Sequence, residues 1–321
     1  MRSKSGSCTA DPHPTAARPR PGQRAGAGRF APSPTGPLHL GSLLAALASY
    51  ADARSRDERW LLRLDDLDER RNQAGADAAI LHALECHGLH WDGPVQRQSQ
   101  HLERYREALR SLADQGLLFR CRCSRRILPA SGPYPGSCRA ALASAAQIGA
   151  AGNGRSGPYA LRIRVDDAVV RWDDLVCGAQ SQALAATVGD FVVCRRDGVF
   201  AYQLATAVDD ASSGITRVIR GSDLLDNTGR QLFLMQCLGL PAPRYGHIPV
   251  LVNETGQKLS KQTGAPPLNL ATPERNILQI LTMLGMPAPA ETHGSVTSLV
   301  AWTVQHWSLA ALPCGPLIVT S

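Results

Sequence analysis

Three short runs hold residue types that could do chemistry. Pro37-Leu38-His39-Leu40-Gly41 puts an imidazole and a glycine in a loop that enters a helix. A helix N-terminus offers free N–H groups and partial positive charge to a phosphate. A glycine there lets a planar group approach the backbone, and an imidazole can donate to a phosphate oxygen. Alone, the run reads equally as a turn with a capping role. Lys258-Leu259-Ser260-Lys261 sets two lysines three residues apart in a loop. They could clamp a polyphosphate as charge develops on it, or form an exposed basic turn. Cys121-x-Cys123, followed by Cys138, gathers three thiols within eighteen residues. That spacing suits a structural zinc with the fourth tetrahedral position left for another ligand, and it also fits three buried free cysteines.

The elements around these runs place them. Arg29-Phe30-Ala31-Pro32 reads as a short strand ending at a proline, and Ser33–Pro37 as a turn-rich loop. Ser42 is the expected N-cap of a helix over Leu43–Arg54. Trp60–Leu64 reads as a buried strand running into the acidic Asp65-Asp66-Leu67-Asp68. Helices are expected over about Ala74–His87 and Gln100–Ala113, the latter with Leu102, Tyr105, Leu109 and Leu112 on one face. Alternation of strand and helix predicts an α/β domain with a parallel sheet. Beyond the cysteine-bearing stretch Phe119–Cys138 lies an Ala/Gly-rich insert, 140–157, expected to be flexible or partly helical. Strands follow at Tyr159–Val165, Val169–Trp172 and Asp190–Cys194, then a helix at Tyr202–Ala211 and a strand at Val218–Ile219. A helix at Gly229–Leu238, a strand at Ile248–Val252 and a last helix at Leu299–Leu309 complete the reading.

Composition bounds the rest. The chain has 321 residues, 44% hydrophobic and 19% charged, enough to bury a core and inconsistent with wholesale disorder. No stretch approaches the roughly 18 apolar residues of a membrane helix. Of the net charge of +7, residues 1–28 contribute +4, so any binding of nucleic acid must rest on local patches. That tail has no apolar core of a secretory signal, and its four prolines argue against an amphipathic transit helix; it reads as disordered. Nine cysteines without an export signal favour thiols or metal ligands over a disulfide framework, and a cytoplasmic location is expected. Cys8, Cys86, Cys177, Cys194, Cys237 and Cys314 show no ligand spacing and read as small apolar residues or exposed thiols.

Taken together, the histidine motif and, about 220 residues later, the lysine motif resemble the paired signatures of class I aminoacyl-tRNA synthetases. Arg29–Gly36, Arg63–Asp68, Tyr202-Gln203-Leu204-Ala205 with Asp209-Asp210, and Ile219–Leu225 are similar to segments of the glutamyl and glutaminyl branch. Tyr134-Pro135-Gly136-Ser137-Cys138-Arg139 resembles glutamyl-Q tRNA(Asp) synthetases, paralogues of the glutamyl-tRNA synthetase catalytic half. The resemblance spans roughly residues 29–310.

It implies a class I, Rossmann-like parallel sheet with an inserted zinc-bearing subdomain. The limits are 1–28 for the tail, 29–114 and 201–285 for the two catalytic halves, 115–200 for the insert, and 286–321 for a C-terminal helix and tail. Only 60 residues follow Lys261, so no anticodon-binding domain is expected. The implied reaction joins ATP, carried with Mg2+, to L-glutamate as glutamyl-adenylate. It then esterifies queuosine in the anticodon loop of tRNA(Asp). Catalysis falls to His39 and Lys261, with Gly41, Lys258 and Ser260 also at the nucleotide. Arg29, Phe30, Ala31, Pro32, Ser33, Asp65, Tyr202 and Arg220 fall at glutamate, the arginines on carboxylates and Asp65 on the ammonium. Without the resemblance, Arg63 with Asp65 reads as a surface ion pair and Tyr202 as core. Tyr134 becomes the fourth zinc ligand beside Cys121, Cys123 and Cys138. The chain departs from the family in carrying Asp65 where Glu is usual, and in the unassigned stretch Pro313–Ser321. A monomer with no membrane partner is expected. A truncated glutamyl-tRNA synthetase and a catalytically inactive zinc RNA-binding paralogue stay open as alternatives.

Overall fold

The computed structural model describes residues 26–124, 132–144, 148, 159–259, 265–286, 288, 290–292 and 294–318. The strands are β1 (Ala27–Phe30), β2 (Arg59–Leu64), β3 (Gln96–Arg97), β4 (Leu118–Cys121), β5 (Ala160–Ile163), β6 (Val169–Asp174), β7 (Gly178–Ala183), β8 (Phe191–Cys194), β9 (Arg217–Gly221), β10 (Arg244–Ile248), β11 (Leu251–Val252) and β12 (Leu317–Ile318). The helices are α1 (Leu40–Arg54), α2 (Ala76–Cys86), α3 (Leu102–Asp114), α4 (Leu184–Thr187), α5 (Tyr202–Ser212), α6 (Leu225–Leu238), α7 (Pro273–Met283) and α8 (Val296–His306).

β1, β2 and β3 pair in parallel, as do β9 and β10, which bears out the parallel α/β reading. The two sheets meet where Thr216 donates its N–H to the Ala27 carbonyl at 2.9 Å. The carboxyl ends of β1 and β9 therefore lie near one another, the place where open α/β sheets bind ligands. α1 is apolar almost all round, with Leu43, Leu44, Ala46, Leu47 and Ala51 buried. It lies in one core with β1, β2, α2, α7 and α8.

The described residues between 115 and 200 include the antiparallel sheet β4-β5-β8 and the hairpin β6–β7. Their apolar side chains, Ile163, Val193 and Phe191 among them, share one core with Tyr105 and Leu109 of α3, Leu204 of α5 and Leu234 of α6. These strands thus share a core with α3, α5 and α6. Among the described residues no helix is long and apolar enough to cross a membrane.

Several expectations need correction. α1 begins at Leu40 and His39 is its N-cap; Ser42 lies in the first turn. The strand expected at Ile248–Val252 is two strands, β10 and β11, because Pro249 between them has no N–H for a ladder. α6 runs from Leu225 through Gly229. A Cβ at Gly229 would collide with the Gln182 side chain, so the glycine serves packing against the β6–β7 hairpin. α8 lies three residues earlier than expected. β4, β7 and α7 were not expected, although Pro273 in the first turn and buried Ile277, Ile280 and Leu281 carry a helical signal.

Cys177 and Cys314 are disulfide-bonded across 137 residues, which overturns their reading as unbonded residues. No sequence spacing could show this pair. The disulfide holds the C-terminal segment to the turn after β6, and β12 beyond it pairs in parallel with β11. Cys8 lies outside the described residues.

Candidate active site

A cleft of about 1010 Å³ opens at the ends of β1 and β9. Arg29, Phe30, Ala31, Pro32 and Ser33 line it from the end of β1, His39 and Gly41 from the start of α1, and Tyr202 from the first residue of α5. Arg220 from β9 and Lys258 complete this set. Ten of the residues singled out in the sequence thus share one cavity. Asp65 does not line it; it lies behind the wall, buried, with Oδ1 accepting from Arg63 Nε at 2.7 Å. Ser260 and Lys261 lie outside the described residues.

His39 Nδ1 accepts the Ser42 N–H at 3.3 Å and so satisfies a first-turn donor. That bond leaves the proton on Nε2, as a donor in the cleft wall. A Cβ on Gly41 would sit 3.2 Å from His39 Cε1 and 3.7 Å from the Leu259 carbonyl. The glycine therefore keeps open the space between the imidazole and the lysine-bearing loop. Both flanks of that loop are pinned here. Leu259 donates its N–H to Leu251 O at 2.8 Å, Leu268 donates to Leu38 O at 3.0 Å, and Pro267 bridges to His39. Lys258 Nζ meets Asp223 Oδ2 at 2.5 Å.

Beneath the cleft is a buried charge network. Arg29 donates through Nε and Nη2 to the two Asp210 oxygens at 3.2 and 3.1 Å, and Arg63 Nη1 donates to Asp210 at 2.6 Å. Burial pushes the Asp210 carboxyl up, but Arg29 and Arg63 outweigh it and hold the group below its ordinary range. Burial wins at Asp65, whose carboxyl is raised despite Arg63. Asp209 accepts from Gln98 at 3.0 Å, His101 at 2.8 Å and the Tyr105 hydroxyl at 2.6 Å. Ionic groups this deep persist only when paired and hydrogen-bonded, and the two-oxygen pair with Asp210 fixes Arg29.

Arg220 is held differently. Its Nε donates to His247 Nε2 at 3.0 Å, Nη1 to Gln231 Oε1 at 2.8 Å, and Nη2 to Thr228 Oγ1 at 2.8 Å and Leu224 O at 3.3 Å. The Tyr245 ring lies under the guanidinium at 5.0 Å. Among the described residues no carboxylate forms an ion pair with Arg220, whereas Arg29, Arg63 and Arg217 each have one. A buried cation with only neutral acceptors is prepared for an anionic ligand.

Sequence reasoning missed the roles of Asp209, Asp210, Arg63, Thr228, Gln231, His247 and Asp174. Two adjacent acids in the otherwise apolar run Ala205–Ala211 were the one available signal.

The cysteine cluster forms beside the insert sheet. Cys121, Cys123 and Cys138 place their sulfurs within 4.8 Å of one another. The Tyr134 hydroxyl lies 3.5 Å from Cys121 Sγ and 3.8 Å from Cys123 Sγ, and accepts the Cys138 N–H at 3.0 Å. The Tyr134 hydroxyl hydrogen bond lowers the Cys138 thiol to about 7, toward the thiolate that a metal binds. Three sulfurs and a phenol oxygen in this small volume fit a tetrahedral zinc. Gly189, at φ +68°, abuts Tyr134; a Cβ there would lie 3.0 Å from Pro133 Cβ and closer still to the Tyr134 nitrogen.

Comparison with known proteins agrees with this geometry. Residues 27–293 match the model for the catalytic domain of class I tRNA synthetases of the E and Q type. A glutamyl-Q tRNA(Asp) synthetase of Methylococcus capsulatus is 49% identical, over 90% of this chain and 93% of its own. Those of Pseudomonas fluorescens and Thiobacillus denitrificans are 48% and 46% identical, over 89% and 91% of this chain and 93% and 96% of their own. In fold, the chain is similar to a glutamate tRNA ligase from Elizabethkingia meningosepticum solved with its amino acid. That match has a TM-score of 0.74 at 24% identity and covers 92% of this chain and 67% of that one. With the histidine motif and Lys258 on one cleft and relatives matched over nearly their whole length, the chain belongs to the glutamyl-Q tRNA(Asp) synthetases, within the glutamyl and glutaminyl branch of class I.

Proposed function

We propose that the cleft activates L-glutamate with ATP and transfers it to queuosine in the anticodon loop of tRNA(Asp). The observation that carries this reading is the juxtaposition in one cavity of Arg220, a buried cation with no acid partner among the described residues, and Arg29 with a helix N-terminus bearing His39 and Gly41. ATP enters as its magnesium complex. A glutamate carboxylate oxygen attacks the α-phosphorus, the bond to the β-phosphate breaks, and pyrophosphate leaves with its electrons. His39 and the α1 N-terminus stabilise the phosphates, and Lys261 neutralises charge on the leaving side. A hydroxyl of the queuosine cyclopentene ring then attacks the adenylate carbonyl. AMP departs, an ester forms, and the hydroxyl proton passes to the phosphate oxygens of the substrate itself. Arg220, which has no acid partner among the described residues, binds a carboxylate by charge, and Arg29, already paired with Asp210, offers hydrogen bonds beside it, with Tyr202 as a wall. Cys121, Cys123, Cys138 and Tyr134 would hold a structural zinc.

Glutamate-dependent ATP–pyrophosphate exchange, run without tRNA, together with mass spectrometry of tRNA(Asp) nucleosides, tests this. The expected product is glutamyl-queuosine, blocked by prior periodate treatment of the queuosine diol. Charging of unmodified tRNA(Glu) at its 3′ end would instead indicate a truncated glutamyl-tRNA synthetase, and absent exchange a zinc RNA-binding protein. Lys261→Ala is expected to abolish exchange with zinc content intact, whereas Cys121→Ser lowers zinc content and stability first.

A further inference from the structure

Arg220 owes its orientation to groups that no sequence motif marks. His247 on β10 is fully buried and presents Nε2 to Arg220 Nε. Its other nitrogen, Nδ1, meets Asp174 Oδ2 at 2.5 Å. Asp174 is the last residue of β6, in the inserted hairpin, and is itself immobilised. Its Oδ1 accepts the backbone N–H groups of Val176, Cys177 and His247, each at 3.0 Å. Burial works against ionisation of Asp174, but the imidazole and these amides outweigh it and hold the carboxyl at about 2. An ionised Asp174 accepts only, so Nδ1 must carry the proton, and burial keeps His247 from taking a second one. The Nε2 lone pair is then fixed toward Arg220. In the other tautomer an N–H would face an N–H across 3.0 Å.

We propose that Asp174 and His247 are positioning residues that hold Arg220 in place while leaving its charge for a carboxylate of the substrate. A carboxylate in direct contact would fix the guanidinium equally well, as Asp52 fixes Arg217 at 2.8 Å through both oxygens, but would neutralise it. Placing the imidazole between the acid and the guanidinium separates orientation from neutralisation. The acid comes from the insert and the base from the catalytic sheet, so the inserted hairpin contributes to amino-acid recognition. Leu175, next to Asp174, donates its N–H to Tyr245 O at 2.8 Å and joins the two elements at this point. The inference rests on the reading of Arg220 as a glutamate-binding residue.

The test compares variants of the full chain by ATP–pyrophosphate exchange, with glutamate and ATP varied separately. Asp174→Asn frees the imidazole to take the other tautomer. It is expected to raise the KM for glutamate at least tenfold, with the KM for ATP within about threefold and zinc content unchanged. His247→Ala is expected to do the same, and His247→Gln, whose carbonyl can accept from Arg220 Nε, to recover most of the loss. Exchange supported by glutamine relative to glutamate should rise in the first two variants, because a misaligned guanidinium discriminates less between carboxylate and amide. A KM for glutamate within twofold of the parent in both Asp174→Asn and His247→Ala overturns the proposal. So does equal loss in His247→Gln and His247→Ala. Should Asp174→Asn fail to fold, the His247 pair decides alone. Arg220→Ala is the separate control: a KM for glutamate that it leaves unchanged defeats the glutamate-binding reading itself, whatever the dyad variants do.

Discussion

His39 carries two duties on one ring. Nδ1 caps α1 through Ser42, which puts the ring proton on Nε2. Substitution can separate them. Asn retains a capping acceptor, so His39→Asn is expected to keep the parental melting temperature yet lose about 100-fold in exchange, the typical cost of removing one transition-state donor. His39→Ala should lose the exchange and, in addition, about 1 kcal/mol of stability through the missing cap. Thermal melts beside exchange assays check both. The two arginines of the cleft show the same division of labour at greater depth. Arg29 is anchored by a shared carboxylate, Asp210, which also anchors Arg63, whereas Arg220 is anchored by neutral acceptors alone. Both arginines read the same in sequence, as basic residues in a family-like segment. Their difference lies in partners drawn from α5, α6 and β10, which no local pattern reveals.

Among elements, the cysteine cluster depends on a glycine far from it in sequence. Gly189 precedes β8 and adopts φ +68°, and the Tyr134 backbone fills the space where a side chain would project. Gly189→Ala combines a left-handed backbone penalty of about 1–2 kcal/mol with displacement of the tyrosine. The expected result is a lower melting temperature and faster loss of zinc to a chelator, measured by metal content after dialysis, with glutamate KM little changed. The Arg162 guanidinium stacks at 4.1 Å over the Tyr134 ring, so Tyr134 is held at its backbone and at its side chain by two different elements. The sequence exposed the ligands, because Cys-x-Cys and the tyrosine run are contiguous. It did not expose Gly189, because one glycine among 29 carries no signal until something packs on it.

For the molecule as a whole, the disulfide between Cys177 and Cys314 ties the C-terminal segment to the turn after β6. β12 on β11 extends the tie to the strand that leads into the lysine loop, since Leu317 donates to Val250 O at 2.9 Å. A crosslink across so long a stretch of chain restricts the unfolded state strongly. Cys314→Ser is therefore expected to cost about 2–4 kcal/mol. Dithiothreitol should lower the melting temperature of the parent toward that of the variant and leave the variant unmoved.

The sequence by itself determined the order of strands and helices through most of the catalytic half, the signature loops and the cysteine cluster. Each of these is written in contiguous residues whose periodicity, turn chemistry or spacing survives without a partner. Only the tertiary structure decided which arginine keeps its charge, where the acids of α5 point, and that Asp174 of the insert reaches β10. It also decided that two cysteines 137 residues apart are joined. These are relations between segments distant along the chain. Their energetics come from burial and pairing, which exist only once the chain has folded.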